Sequence, residues 1–335
     1  MAQAAAATRL RGLWGVLLGA ALLVWFAAGV DWPRVGSVLA NVLLGEFALA
    51  CLALLVSQAA HAARYAVLIR HIAPTAGPLL IWDAVLIGQA GNTLLPLRAG
   101  NVMRPYVVSR VTGASLPALL FTTLSELLCD ALGVLLMVAG VLVLLPEGQV
   151  GFVATVHGWA APAAVGLVIA FFGVLGLGTR QARRTVLRLS GLLPSRRARR
   201  VAVSGFEALV IGLLPIGKLR RLMWAVLWTM LGWAAWVGAV VATGSSVGLV
   251  IHSSAALALV CALAIAMTVP QGPGFLGGFQ VVTAQVLAMW GAPTVESQAV
   301  AVLLWVACFL PATLIGLEAS IRRGVKLRAL EPQKP

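Results

Sequence analysis

Apolar positions in this chain come in continuous runs, not in alternation. A helix needs about 20 such residues to cross the hydrocarbon of a bilayer. The pattern predicts helices of that kind at 12–30, 42–60, 117–145, 158–178, 222–243, 250–269, 275–292 and 298–319, about eight in all. Period-two alternation, the mark of a membrane barrel strand, does not occur over comparable lengths. The expected fold class is an all-α polytopic membrane protein.

A ninth apolar stretch, 78–97, is different. It carries Asp83, Gln89 and Asn92 and ends in Pro96. Whether it crosses decides the topology of everything after it. If it enters and leaves on one side, 23 of the 24 Lys and Arg residues fall on that side, and only Arg34 lies opposite. A full crossing destroys the asymmetry. Basic residues concentrate on the cytoplasmic face, so 78–97 is read as re-entrant, with both termini cytoplasmic in a plasma membrane of bacterial type. Irregular backbone at membrane depth is tolerated only inside protein or along a wet cavity, so the break should face the interior.

Composition agrees. Of 335 residues, 61% are hydrophobic and 10% charged, with a mean hydropathy of +1.00; a soluble domain carries about 25% charge. The expectation is one integral membrane domain over 1–330 and a short tail at 331–335. The net charge of +14 reflects topology and does not call for nucleic acid. Arg9 and Arg11 before Gly12–Val30 mimic a secretory signal, but the apolar part is longer than the usual 7–15 residues; a retained first span is expected. The basic segment 179–221 is expected to be a cytoplasmic loop against anionic headgroups, with an interfacial helix over Val201–Ile216. His61 and His71 are expected near the same face. Cys51, Cys129, Cys261 and Cys308 sit in apolar surroundings without metal-ligand spacing, as small hydrophobes do.

The stretch around Pro96, LLPLRAGNVMRPYVV, has an echo around Pro270, TVPQGPGFLGGFQVV. In each, an apolar helix meets a proline, a glycine follows four positions later (Gly100, Gly274), and a Val–Val pair closes the match. Paired Gly/Pro interruptions in the two halves of a membrane protein point to a transporter's binding site; the match is short and leaves true internal repetition, as an inverted repeat, open. Pro96, Pro270 and Pro273 remove donors and break the helices. A helix restarting after each break aims its amides at the break, which suits an anion. Arg104, and with it Arg98, would add charge-assisted bonds, unless they only snorkel to the interface. Glu126 and Asp130, four apart, share one helix face. Two acids in a membrane helix must pair with cations or hold a proton, and Arg98 and Arg104 are the nearest basic residues in sequence. Asp83 is a further candidate for the charge network. No metalloprotease, nucleophile-elbow, P-loop or dinucleotide motif occurs, so neither an enzyme nor a cofactor is expected. Tryptophans at span ends read as interfacial anchors.

These landmarks resemble the lysylphosphatidylglycerol synthase transmembrane region, a flippase-like family. The resemblance rests on Pro96, Gly100, Asn101, Arg104 and Tyr106, then Glu126, Leu127 and Asp130, then Pro270, Pro273, Gly274, Gly277, Phe279 and Gln280, then Trp305, Pro311 and Gly316. Asn101 and Gln280 stand where the family has acids, and Leu127 and Trp305 where it has basic residues. The resemblance implies a lipid-moving domain in its stand-alone form, without aminoacyl transfer. It implies an anionic phospho- or isoprenoid-linked headgroup held by Arg104, Gly100, Arg98, Asn101, Gly274, Gly277 and Gln280, balanced by Glu126, Asp130 and Asp83. A second reading, a non-transporting accessory subunit of an envelope glycan, aminolipid or hopanoid pathway with a biosynthetic enzyme as partner, stays open.

Overall fold

The structure, a computed structural model, describes residues 17–95, 98–144, 166, 173, 180–190, 195–215, 217–268 and 272–325. Its helices are α1 (Leu17–Ala28), α2 (Trp32–Ala40), α3 (Leu44–Ile69), α4 (Pro78–Leu94), α5 (Gly100–Thr112), α6 (Leu116–Leu144), α7 (Arg180–Ser190), α8 (Arg196–Leu213), α9 (Leu219–Ser246), α10 (Ser253–Ala266), α11 (Gly278–Met289) and α12 (Thr294–Arg322). Four of them, α3, α6, α9 and α12, are long and apolar enough to cross a membrane; α1 and α2 meet at 86° and together count as a fifth candidate. The protein is an all-α polytopic membrane protein. The span expected at 158–178 lies outside the described residues apart from isolated helical positions at 166 and 173.

Contacts along the long helices define two ends. Leu43 donates its amide to the carbonyl of Ser246 at 2.9 Å, and Arg64 reaches Thr229 at 3.1 Å, so α3 and α9 run antiparallel along their length. The end carrying Ile69 and Leu219 also holds Arg70, Lys218, Arg220 and Arg221; it is called the basic end. The start of α12 lies at the other end, where Gln298 donates to the carbonyl of Gly29 at 2.9 Å. Its far end, Arg322 and Arg323, binds Asp83 near the start of α4.

Between these spans two short-helix hairpins dip in from opposite ends. α4 and α5 pack antiparallel. Asn92 donates to Asn101 at 3.3 Å at the tip, and Arg110, near the far end of α5, contacts the Gly324 carbonyl at 3.4 Å. Both outer ends of this hairpin therefore lie beside the last turn of α12. This corrects the bounds expected for the re-entrant segment: 78–94 is a single inward arm, because one continuous helix cannot reverse within itself, and the return arm is α5, so the element spans 78–112 and not 78–97. Its helices have 17 and 13 residues, about 25 and 20 Å at 1.5 Å per residue, against a hydrocarbon core of about 30 Å. Gly100 lets the two backbones close: a Cβ there would fall 1.7 Å from the Gly88 carbonyl oxygen.

The second hairpin corrects the spans expected at 250–269 and 275–292. Those residues form α10 and α11, 14 and 12 residues long, about 21 and 18 Å. Neither reaches across. α10 starts beside the end of α9, where Ile251 packs on Gly244, and α11 ends at Met289, five residues before α12 begins. The pair thus enters from the end opposite α4–α5. Between them a 3₁₀ turn runs Pro273–Phe275, with Gly274 at φ 64° and Gly277 at φ 90°. Gly277 also needs to be glycine for space, since a Cβ would meet the Gly19 carbonyl oxygen of α1 at 2.3 Å.

The span expected at 42–60 is also corrected. α3 continues to Ile69 because nothing between Ser57 and Ile72 breaks a helix; the first proline comes at Pro74. Arg64, placed in a loop by the charge count, is 3% exposed, and His61 packs on Gly232 in the bundle and not at the face. α8 covers part of the expected interfacial segment, and its Gly212 seats against Ala118 and Phe121 of α6. The apolar core is largest around α10, α11 and their neighbours α9 and α12. A second cluster joins α4 and α5 to the end of α3. The four cysteines are free.

Candidate functional site

α5, α6, α3 and α9 bring four charged side chains together. Arg104 comes from α5, Glu126 and Asp130 from successive turns of one face of α6, and Arg64 from α3. The sequence paired the acids with the wrong arginines in part. Arg64 holds Asp130 through both guanidinium nitrogens, Nη2–Oδ2 at 3.2 Å and Nη1–Oδ1. Its Nη1 also donates to Thr229 Oγ1 at 3.1 Å, and Nη2 lies 4.0 Å from Glu126 Oε1. Arg104 donates to Glu126 Oε2 through Nη2 and lies over the ring of Tyr65, 4.5 Å from its centroid. Arg98 contacts neither acid.

The two arginines are held differently. Arg64 is a bidentate partner with a third bond, 4% exposed at the side chain. Arg104 has one bonded nitrogen and 13% exposure. Arg64 Nε, Arg104 Nε, Glu126 Oε1 and the Tyr65 hydroxyl are buried without a hydrogen-bond partner among the described residues. Buried polar atoms in native proteins are nearly always satisfied, so four orphans in one cluster mark a place where water or a polar ligand completes the network. The cluster is neutral in sum, and each charge needs the others: an isolated charge in a low-dielectric interior is costly, and removing one partner leaves the other stranded.

Arg64 was missed because a hydropathy window ends at His61 and Arg64. The signal that could have found it is the absence of any helix breaker before Pro74. Tyr65 and Thr229 carried no signal in sequence. Leu127, at a position where the resembled family has a basic residue, is 60% exposed on the outer face of α6, so a cation there would not enter this cluster; Arg64 supplies the second positive charge.

The other predicted residues fall at the tips. Arg98 sits in the left-handed region at φ 54°; its Nη2 donates to the Met267 carbonyl at the end of α10, and its guanidinium lies 5.1 Å from the Phe275 centroid. It ties one break to the other instead of snorkelling to the interface. Gly274 lies against Thr93 of α4, and its carbonyl accepts from Trp305 Nε1 at 2.7 Å. Gln280 is turned inward: its Oε1 accepts from the Gly277 amide at 2.8 Å and caps α11. Asn101 closes the first tip through Asn92. Pro96 and Pro270 lie outside the described residues, and Pro273 opens the 3₁₀ turn. Asp83, fully buried, is apart from Glu126 and Asp130; it accepts from Arg322 Nη2 at 2.7 Å and Arg323 Nε at 2.7 Å and anchors α4 to α12. Among the described residues no group of three His, Cys, Asp or Glu side chains is placed to hold a metal.

Compared with known families, the chain matches the model described as the lysylphosphatidylglycerol synthase TM region over residues 12–316. The chain belongs to that family. No curated protein and no solved structure matches it significantly. Membership of the lysylphosphatidylglycerol synthase TM region family places the protein among membrane proteins related to lipid-modifying and flippase-like ones. The match spans both hairpins, all four buried charges and the glycine-rich turn before α11.

Proposed function

We propose that this protein moves an anionic phospho- or isoprenoid-linked lipid headgroup across the plasma membrane, without catalysing a covalent change. Both termini and the basic end would face the cytoplasm, as the distribution of Lys and Arg favours. The observation that carries the reading is Arg104: a buried guanidinium with one acidic partner, stacked on Tyr65 and flanked by orphaned polar atoms. A phosphate entering the site would take Arg104 from Glu126 by forming charge-assisted, two-pronged bonds. Asp130 would stay with Arg64, so the exchange leaves Glu126 to take up a proton or to lean on Arg64, 4.0 Å from its Oε1. The inverted hairpins bring their irregular backbone together at the tips, and α5 starts at the first tip with its amides directed towards it.

The test is headgroup scrambling in vesicles reconstituted with the full-length protein. Arg104→Ala is expected to slow movement of an anionic lipid at least tenfold, and Arg104→Lys to restore it only in part, because an ammonium lacks the fork. Equal rates for wild type and both variants would sink the assignment.

A second reading is favoured by the pinned tips. Arg98 on Met267 holds the two breaks together, and Trp305 fixes Gly274 to α12, a rigid arrangement that suits a non-transporting subunit of an envelope glycan, aminolipid or hopanoid pathway. It predicts no scrambling by wild-type protein, and co-purification with a biosynthetic enzyme of that pathway.

A further inference from the structure

On the far side of α3 from the buried charges, at the basic end, lies a cavity of about 810 Å³. Its floor is one apolar face of α3, the methyl-bearing Ala59, Ala62, Ala63 and Ala66 with Val67 and Ile69, ending at Arg70. From Ala59 to Arg70 this slot runs about 16 Å along the helix. The opposite wall is the α3–α4 connection with the first turns of α4, including Trp82, and the first turn of α9 closes the mouth with Arg220, Arg221 and Trp224. Among the described residues no acidic side chain lines it. None of the three arginines has a carboxylate within ion-pairing distance among the described residues, although carboxylates elsewhere at this end are taken by Arg322 and Arg323.

We propose that this groove holds one anionic phospholipid as a resident, separately from the headgroup site around Arg104. The chemistry is that of a two-part ligand. A methyl-lined slot matches an acyl chain, and three unopposed guanidinium groups at its open end match a phosphate that carries net negative charge. Trp82 and Trp224 stand at the rim, where indoles favour the membrane–water boundary. A zwitterionic lipid offers the same chain but cancels its own phosphate charge. Free phosphate offers the charge but leaves the slot unfilled. The volume is within the range of about 300–1,000 Å³ typical of small-molecule sites. The lipid would wedge α3, α4 and α9 at the end where the first hairpin enters.

Native mass spectrometry of the full-length protein released from detergent, titrated with phosphatidylglycerol, phosphatidylcholine or inorganic phosphate, tests this. Phosphatidylglycerol is expected to be retained about tenfold better than phosphatidylcholine, a difference of about 1.4 kcal/mol, and millimolar phosphate should not displace it. Arg220→Gln with Arg221→Gln is expected to lower retention about tenfold. Ala63→Phe, which fills the slot and leaves the charge intact, should do the same; if that variant fails to fold, the arginine pair at the mouth still decides. Equal retention of the two lipids, or unchanged retention in the arginine variant, overturns the proposal. So does loss of the retained lipid in Arg104→Gln but not in the groove variants, which would place the lipid in the headgroup site. Slow scrambling by Arg104→Ala bears on that site alone, so the two proposals fail independently.

Discussion

At the residue scale, the four clustered charges are unequal, and their inequality is measurable. Arg64 and Asp130 form a two-pronged pair joined to Thr229. Asp130→Leu strands the buried Arg64, and is expected to lower stability by about 3–5 kcal/mol. Arg64→Met leaves Asp130 with a side chain 35% exposed, where water screens the charge, and is expected to cost less. The double variant should recover most of the loss, since two apolar side chains need no partner. Thermal unfolding in detergent of the four proteins gives the coupling directly; additive losses would show that the pair is not the unit described. Sequence singled out Arg104, Glu126 and Asp130, and the structure brings all three into one cluster. Arg64 was not legible there, because charge alone does not tell a loop cation from one held inside a helix bundle by a partner 66 residues away.

At the scale of elements, the tight fit of α4 on α5 is the feature most sensitive to a single atom. Overpacking usually costs about 1–3 kcal/mol. At Gly100 the obstacle is the backbone oxygen of Gly88, which cannot rotate aside. Gly100→Val should therefore exceed that range and part the hairpin, visible as faster hydrogen exchange across 88–104. α8 docks through a different device. His71 Nε2 donates to the Ile211 carbonyl at 2.7 Å, and its Nδ1 is buried without a partner. Burial holds the His71 pKa below its ordinary value of 6.5, outweighing the Ile211 hydrogen bond, and nearby Arg221 pushes the same way. The released state takes up a proton more readily than the docked one, so docking is intact above about pH 6.5 and weakens as pH falls towards the depressed value. Exchange in residues 205–213, corrected for intrinsic pH dependence, should speed up between pH 7.5 and 5.5 in wild type. In His71→Gln it should not change with pH.

At the scale of the whole molecule, the arrangement predicts sidedness. Single cysteines introduced at Thr75 and Gly113 in a cysteine-free background should label from one face of the membrane, and those at Val250 and Gly291 from the other. Labelling of 75 and 113 from opposite faces would mean that 78–112 crosses. The charge asymmetry behind this topology included Arg64 and Arg104, which the structure holds within the bundle, and Arg98, which lies exposed at the hairpin tip. Without these three, Arg70, Arg110, Lys218, Arg220, Arg221, Arg322 and Arg323 remain at the basic end.

The sequence by itself determined that the chain is helical and lives in a membrane, because continuous hydrocarbon over this length has no other solvent. It also showed two interrupted segments, since proline and glycine alter the backbone where they stand. It did not decide that α10 and α11 turn back: a broken run and two adjacent spans have nearly the same hydropathy. Tertiary structure decided that, by seating Gly274 against Thr93 and Gly277 against α1. It also decided which cation meets which acid, because a buried charge goes to the partner that packing brings within reach, and distance along the chain does not report it.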